Sequence, residues 1–211
     1  MTFLFDFDGT LADSMPTFGR VMIRVLTECG IEPPEGIINT VTPLGYEGSA
    51  DYFRELGAKQ SKTELVKRMH ELARADYEST VPLKDTVKDA LEKMKERGDS
   101  INVLTASPHE MLDPCLKRCG VYGLFDKVWS CEDFGKTKSD PGIYKDAAIA
   151  LGTEVGDVIF VDDNPGAVDA ARRAGCRAIG IYDDSASHLI DKMKSVGNGY
   201  VYTLIELLDL K

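Results

Sequence analysis

Short, nearly unbroken apolar runs recur along the chain at residues 2–7, 101–105, 127–130, 158–161 and 178–182. Continuous rather than alternating apolar runs belong to strands covered on both faces, the condition of a parallel sheet. Between the runs, apolar positions take helical spacing: Val87, Ala90, Leu91 and Met94; Ile143, Ala147 and Leu151; Ala167, Val168, Ala171 and Ala174. Asp140-Pro141 and Asn164-Pro165 each supply an N-cap residue followed by a first-turn proline. Gly98, Gly120, Gly152 and Gly175 fall where those helices should end. The alternation predicts an α/β fold, a doubly wound parallel sheet.

Residues 15–80 have a different texture, with no convincing strand. Met15, Phe18, Met22, Val25, Leu26 and Cys29 form one helical stripe, and Leu65, Met69, Leu72 and Ala73 form another. Residues 31–38 carry prolines and glycine, residues 39–50 read as a loop, and residues 51–56 read as a short helix. The expected organisation is a core of residues 1–14 and 81–211 with a helical domain, 15–80, inserted after the first strand. An insertion at the ligand end of a sheet is expected to act as a lid.

Composition narrows the function classes. The 211 residues are 43% hydrophobic and 28% charged, which suits a folded globular protein with a full core. A net charge of −10 argues against nucleic acid or an anionic membrane as the main partner. Five cysteines (Cys29, Cys115, Cys119, Cys131, Cys176) include no Cys-x-x-Cys pair, and the histidines at 70, 109 and 188 are isolated. That usage predicts no zinc site and a reducing, cytoplasmic setting. No apolar run is long enough to read as a signal peptide or membrane span.

The chemistry gathers where apolar runs end. The first closes on Asp6-Phe7-Asp8-Gly9-Thr10, where strand alternation would put Asp6 and Asp8 on one face and Phe5 and Phe7 on the other. The second ends in Thr105-Ala106-Ser107 before Pro108, a hydroxyl beside a helix N-terminus that can cradle phosphate or serve as a cap. Lys136-Thr137-Lys138-Ser139-Asp140-Pro141 precedes the next helix, and residues 158–161 run into Asp162-Asp163-Asn164. Taken singly these are an acidic turn, a cap, a solvated lysine and another acidic turn. Together they converge on one edge of one sheet, where open α/β proteins bind ligands. Four clustered aspartates repel strongly unless a cation joins them. An all-oxygen donor set favours Mg²⁺. Four carboxylates and Lys138 carry about −3, and a divalent ion brings this to about −1, so a phosphate dianion could enter only the metal-bound site. One carboxylate can then attack phosphorus, and its neighbour can protonate the leaving oxygen and activate water.

These motifs, in this order and spacing, resemble those of the haloacid dehalogenase (HAD) superfamily of phosphohydrolases. Asp6-Phe7-Asp8-Gly9-Thr10 is similar to its first motif and Leu104-Thr105-Ala106-Ser107 to its second. Lys138-Ser139-Asp140-Pro141 is similar to its third and Phe160-Val161-Asp162-Asp163-Asn164 to its fourth. The insertion resembles the helical cap of the phosphoglycolate phosphatase and β-phosphoglucomutase branch. The resemblance implies a Rossmann-like core, with Asp6 as nucleophile and Mg²⁺ ligand and Asp8 as acid/base, binding metal through its backbone carbonyl. It implies that Thr105, Lys138 and the Ala106 backbone hold the transferring phosphoryl group. Asp163 is then a Mg²⁺ ligand, supported by Asp162 through water. The family often has proline after the motif lysine; here Ser139 follows Lys138, which leaves Lys136 as an alternative, but Asp140-Pro141 fixes the alignment on Lys138.

Several activities of that superfamily are disfavoured. Asp8 argues against carbon–halogen cleavage, whose enzymes lack that carboxylate. The loop 39–50 carries no lysine for a Schiff base, and Lys59 reads as surface. Phe18 stands where the mutases carry histidine, which disfavours a phosphomutase. A receiver domain would have its acidic pair first, and a non-catalytic HAD-like binding module would not need the Asp6/Asp8 pair. The expected activity is hydrolysis of a small phosphorylated metabolite, phosphoglycolate or a sugar phosphate. Tyr46, Glu47, Arg54, Arg20 and Arg24 are candidate substrate contacts, with His109 as another.

Overall fold

A computed structural model describes residues 1–210, apart from the side chain of Pro43. The chain forms two compact units, Met1–Asp13 with Pro82–Lys211, and Ser14–Val81.

The first unit is built on six parallel strands: β1 Thr2–Phe5, β2 Ser100–Thr105, β3 Lys127–Ser130, β4 Val158–Asp162, β5 Arg177–Ile181 and β6 Gly199–Val201. Their order across the sheet is β3-β2-β1-β4-β5-β6. The chain moves outward from β1 through β2 to β3, then returns to β1's other side for β4 and continues to β6. The order therefore reverses between β1 and β4, and a crevice opens beyond their C-terminal ends. Phe5 pairs with Val103 of β2 and with Val161 of β4, so three strands end side by side.

Alternation along the strands sends Leu4, Leu104, Phe160 and Ala178 to one face. There they pack with α7 (Gly142–Leu151), α8 (Pro165–Ala174) and α9 (Ile190–Val196) through Tyr144, Ala147, Val168, Ala171 and Met193. Asn164 caps α8, accepting from the Gly166 amide at 2.8 Å, and Asp140 accepts from the Gly142 amide at 2.8 Å at the start of α7. On the other side of the sequence order, α5 (Val87–Glu96) leads into β2 and α6 (His109–Arg118) follows it. No disulfide joins the five cysteines.

The second unit contains α1 (Met15–Glu28), α2 (Ile37–Val41), α3 (Gly45–Glu55) and α4 (Lys62–Ser79). Val21, Met22, Val25 and Leu26 on α1 are buried, as are Leu65, Met69, Leu72 and Ala73 on α4, and these two helices pack together. Arg68 spans them with a forked ion pair to Glu28, at 2.8 and 2.9 Å. Ser61 and Glu64 form a reciprocal cap that starts α4.

Four expectations change. β1 stops at Phe5, and only the Asp6 amide extends the ladder, to the Val161 carbonyl at 2.9 Å. The Phe7 carbonyl instead takes both the Leu11 and Ala12 amides at 2.8 Å, so Asp8 lies in a turn rather than on a strand face. Residues 39–50 are mostly helical, not a loop: α2 runs to Val41, a 3-10 turn covers Thr42–Leu44, and α3 starts at Gly45. The short helix expected at 51–56 is the end of that longer α3. β6 is added at the sheet's edge, three residues too short to show a pattern in sequence. No helix among the described residues is long and apolar enough to cross a membrane.

Candidate active site

β1 and β4 deliver the acidic residues into the crevice between them. Asp6 follows β1 directly, Asp162 ends β4 and Asp163 follows it, and one carboxylate oxygen of each lies within 4.8 Å of the others. Lys138 reaches in from the segment before α7, its Nζ 2.6 Å from Asp6 Oδ1 and 2.7 Å from Asp162 Oδ2. The second Asp162 oxygen accepts from the Asn164 amide at 2.7 Å, so both of its oxygens are engaged. Tyr144, buried in α7, donates its hydroxyl to the Lys138 carbonyl at 2.7 Å and fixes the backbone that presents the lysine.

The electrostatics follow from burial. Three carboxylates and one ammonium leave two negative charges in a largely water-excluded space. Burial pushes the Asp6 carboxyl up to about 7, against the pull of Lys138 and with the help of Asp162 and Asp8. Burial, then Asp162 and Asp6, raise Asp163 well above the usual carboxylate range. Burial alone would lower Lys138, but the Asp162 and Asp6 carboxylates hold it well above an ordinary lysine. Asp163 has no ion-pair partner among the described residues, and its carboxylate lies over Gly9, where a Cβ would come within 2.6 Å of Oδ2. Gly9 also takes φ +74°, which an L side chain rarely adopts. A half-buried carboxylate with no ion-pair partner, beside two buried ones, is a donor set that suits a hard cation, taken through oxygen.

The remaining candidates separate into groups. Asp8, half-buried in the turn after β1, accepts a hydrogen bond from Ser107 Oγ. Thr105 is buried at the end of β2, and its Oγ1 accepts from the Ser107 amide at 3.2 Å; Ala106 between them is exposed. Ser107 thus bonds to a catalytic candidate rather than capping α6. Lys136 pairs with Asp146 at 2.5 Å, away from the aspartate cluster, which leaves Lys138 as the lysine in the cluster. His109 sits between Asp113 at 3.0 Å and Asp133 at 2.8 Å.

Within the helical unit, the candidate contacts have local partners. Tyr46 packs between Phe18 and His70, with ring centroids 5.5 and 4.8 Å away. Glu47 pairs with Lys62 at 3.2 Å, and Arg24 with Glu28 at 3.2 Å. Arg20 donates to Thr17 Oγ1 at 2.7 Å, and Arg54 is exposed.

Sequence reasoning missed two relationships. The Ser107–Asp8 bond was masked because a serine before a helix reads as a cap. Lys84, whose Nζ contacts the carbonyl of Gly9, belongs to no recognisable motif.

Known proteins resemble this chain over most of its length. Hexitol phosphatase B of Escherichia coli (strain K12) is 29% identical over 185 residues, covering 83% of this chain and 81% of that protein. Phosphoglycolate phosphatase of Yersinia pseudotuberculosis is 27% identical over 182 residues, covering 84% and 78%. The crystal structure of a predicted phosphoglycolate phosphatase from Haemophilus somnus superposes with a TM-score of 0.84 at 19% identity, covering 99% of this chain and 96% of that one, a likeness of fold. Residues 1–175 match the family described as haloacid dehalogenase-like hydrolase, and the chain therefore belongs to that family of enzymes.

Proposed function

We propose that the protein is a Mg²⁺-dependent phosphatase that hydrolyses a small phosphomonoester, phosphoglycolate or a sugar phosphate, through a phosphoryl group carried on Asp6. The observation that carries this reading is the joining of Asp6 and Asp162 by Lys138 beside a half-buried Asp163 that has no ion-pair partner among the described residues. Asp6 is held for attack, and the cluster needs one more positive charge before a phosphate dianion can enter. Mg²⁺, held by Asp6, Asp163 and the Asp8 carbonyl with Asp162 in support, supplies that charge when bound.

Lys138, the Thr105 hydroxyl and the Ala106 amide orient the phosphoryl group. An Asp6 carboxylate oxygen attacks phosphorus and the ester P–O bond breaks. The bonding pair leaves with the substrate oxygen, which takes a proton from the Asp8 carboxylic acid. Asp8, now a carboxylate, removes a proton from water as the water oxygen attacks the phosphorus on Asp6. The Asp6 O–P bond then breaks and inorganic phosphate leaves. Asp8 lies two residues beyond Asp6, in the turn where Gly9 takes positive φ, so nucleophile and acid/base come from one short segment.

The names of the relatives support a sugar-like or short acid substrate, since hexitol phosphatase and phosphoglycolate phosphatase are both among them. The test is phosphate release from a panel of small phosphomonoesters with Mg²⁺ and with EDTA. Metal-dependent turnover of one compound well above the rest supports the reading. No release across the panel, with Mg²⁺ still bound, overturns it.

A further inference from the structure

Lys84 stands where the chain returns to the first unit from the helical insertion. The outgoing and returning segments pair there: Ala12 bridges to Leu83, the Asp13 amide donates to the Pro82 carbonyl at 3.0 Å, and the Lys84 amide donates to the Leu11 carbonyl at 2.9 Å. From this position the Lys84 side chain, 19% exposed, turns inward. Its ammonium donates to the Gly9 carbonyl at 2.6 Å, the Tyr182 carbonyl at 2.5 Å and Asp183 Oδ2 at 3.0 Å. Three donors meet three acceptors, which is the full capacity of a lysine.

The acceptors belong to two parts of the site's frame. Gly9 follows Asp8; Tyr182 and Asp183 follow β5, the strand beside β4. Asp183 is itself fixed, because its Oδ1 accepts from the Ser185 amide at 3.0 Å and the Ser185 hydroxyl at 2.6 Å. Gly9 is held on three sides: its amide donates to Ala12, its Cα faces the Asp163 carboxylate, and its carbonyl meets Lys84. Asp183 balances the Lys84 charge, so this lysine adds nothing net to the aspartate cluster. Its effect is on where the turn lies.

We infer that Lys84 is a positioning residue: by bolting the Gly9 carbonyl to the end of β5, it fixes where Asp8 stands relative to Asp163. The inference rests on Asp8 acting as the acid/base of the proposed hydrolysis. Side chains that only fill space at position 84 would leave two inward carbonyls and the Asp183 carboxylate without their donor, and the turn would be free to shift.

Lys84→Met tests this, keeping reach and bulk while removing every donor. Hydrogen–deuterium exchange of peptides covering residues 6–13 and 100–105 is compared with kcat and KM for the best phosphomonoester at saturating Mg²⁺. The expected result is exchange about tenfold faster in 6–13 with 100–105 unchanged, and kcat lower by about tenfold with KM within about threefold. KM should hold because Thr105 and Lys138 are untouched. Unchanged exchange in 6–13, kcat within about twofold of wild type, or a loss confined to KM each overturns the inference. If the methionine variant does not fold, Lys84→Gln, too short to reach all three acceptors, is judged by the same criteria. A wild-type protein that turns over no phosphomonoester defeats the phosphatase reading, and exchange in 6–13 then decides the role of Lys84 alone.

Discussion

Ser107 donates its hydroxyl to the carboxylate of Asp8, joining the turn after β1 to the segment after β2 across 99 positions of sequence. The same segment holds Thr105, whose hydroxyl accepts from the Ser107 amide. One short stretch therefore carries a phosphate-binding candidate and orients the proposed acid/base.

Ser107→Ala should lower kcat by about tenfold, or about 1.4 kcal/mol of barrier, with little change in KM, because Asp8 loses its fixed direction but keeps its chemistry. Ser107→Thr retains the hydroxyl and should recover most of the rate. Steady-state kinetics of both variants check this, and an alanine variant as fast as wild type would count against it.

Asp6→Asn should abolish turnover while leaving the protein folded. The buried carboxyl is already pushed up to about 7, so a neutral amide of the same shape removes strain rather than packing. Asp8→Asn should cost several powers of ten and leave phosphate on Asp6, visible as an 80 Da mass increase of about one phosphoryl group. Intact-protein mass spectrometry and thermal melts separate the two cases.

Metal-free protein should lose stability as pH rises. Asp6 has a folded value of about 7 against an ordinary 3.8, so its neutral form is favoured by folding. The stability is full below about pH 4 and declines as pH climbs through about 7, where the folded protein must ionise a buried group. Mg²⁺ should remove the decline, and at about 100 times its dissociation constant it should add about 2.7 kcal/mol. Asp163→Asn should raise the metal-free melting temperature and weaken the response to Mg²⁺. Melting curves across pH, with and without Mg²⁺, provide the comparison.

Thr86→Gly should stabilise the protein by about 1 kcal/mol. Thr86 precedes α5 with φ +66°, a conformation costly for a β-branched residue, and its buried hydroxyl has no hydrogen-bond partner among the described residues. Urea unfolding of the variant measures the gain, and a loss of stability would show that the hydroxyl is bound by water.

His109 should act as a pH-dependent clasp between α6 and the turn after β3. Asp113 and Asp133 raise it above its ordinary 6.5. Its contribution is therefore complete below about pH 6.5 and lost as pH rises through the raised value. His109→Asn should cost about 0.2–1 kcal/mol at pH 5.5 and close to nothing at pH 9, the scale of an exposed ion pair. Melts of both proteins at the two pH values test the difference.

The amino-acid order alone pointed to the α/β alternation, the helical stretch after the first strand, the strand ends that carry Asp6, Thr105, Asp162 and Asp163, and Lys138 in the segment before α7. Strand and helix periods are local, and a motif's residues are neighbours in the chain, so both are written within a few positions. In the structure the helical unit runs from Ser14 to Val81. Gly45 and Gly48 misled because a glycine can also lie inside a helix: Gly45 opens α3 and Gly48 stands in its first turn. Tertiary structure alone decided that Ser107 serves Asp8 and that Lys84 holds Gly9. Both pairs join segments far apart in the chain, and which segments meet depends on sheet order and register, which no local stretch of sequence encodes.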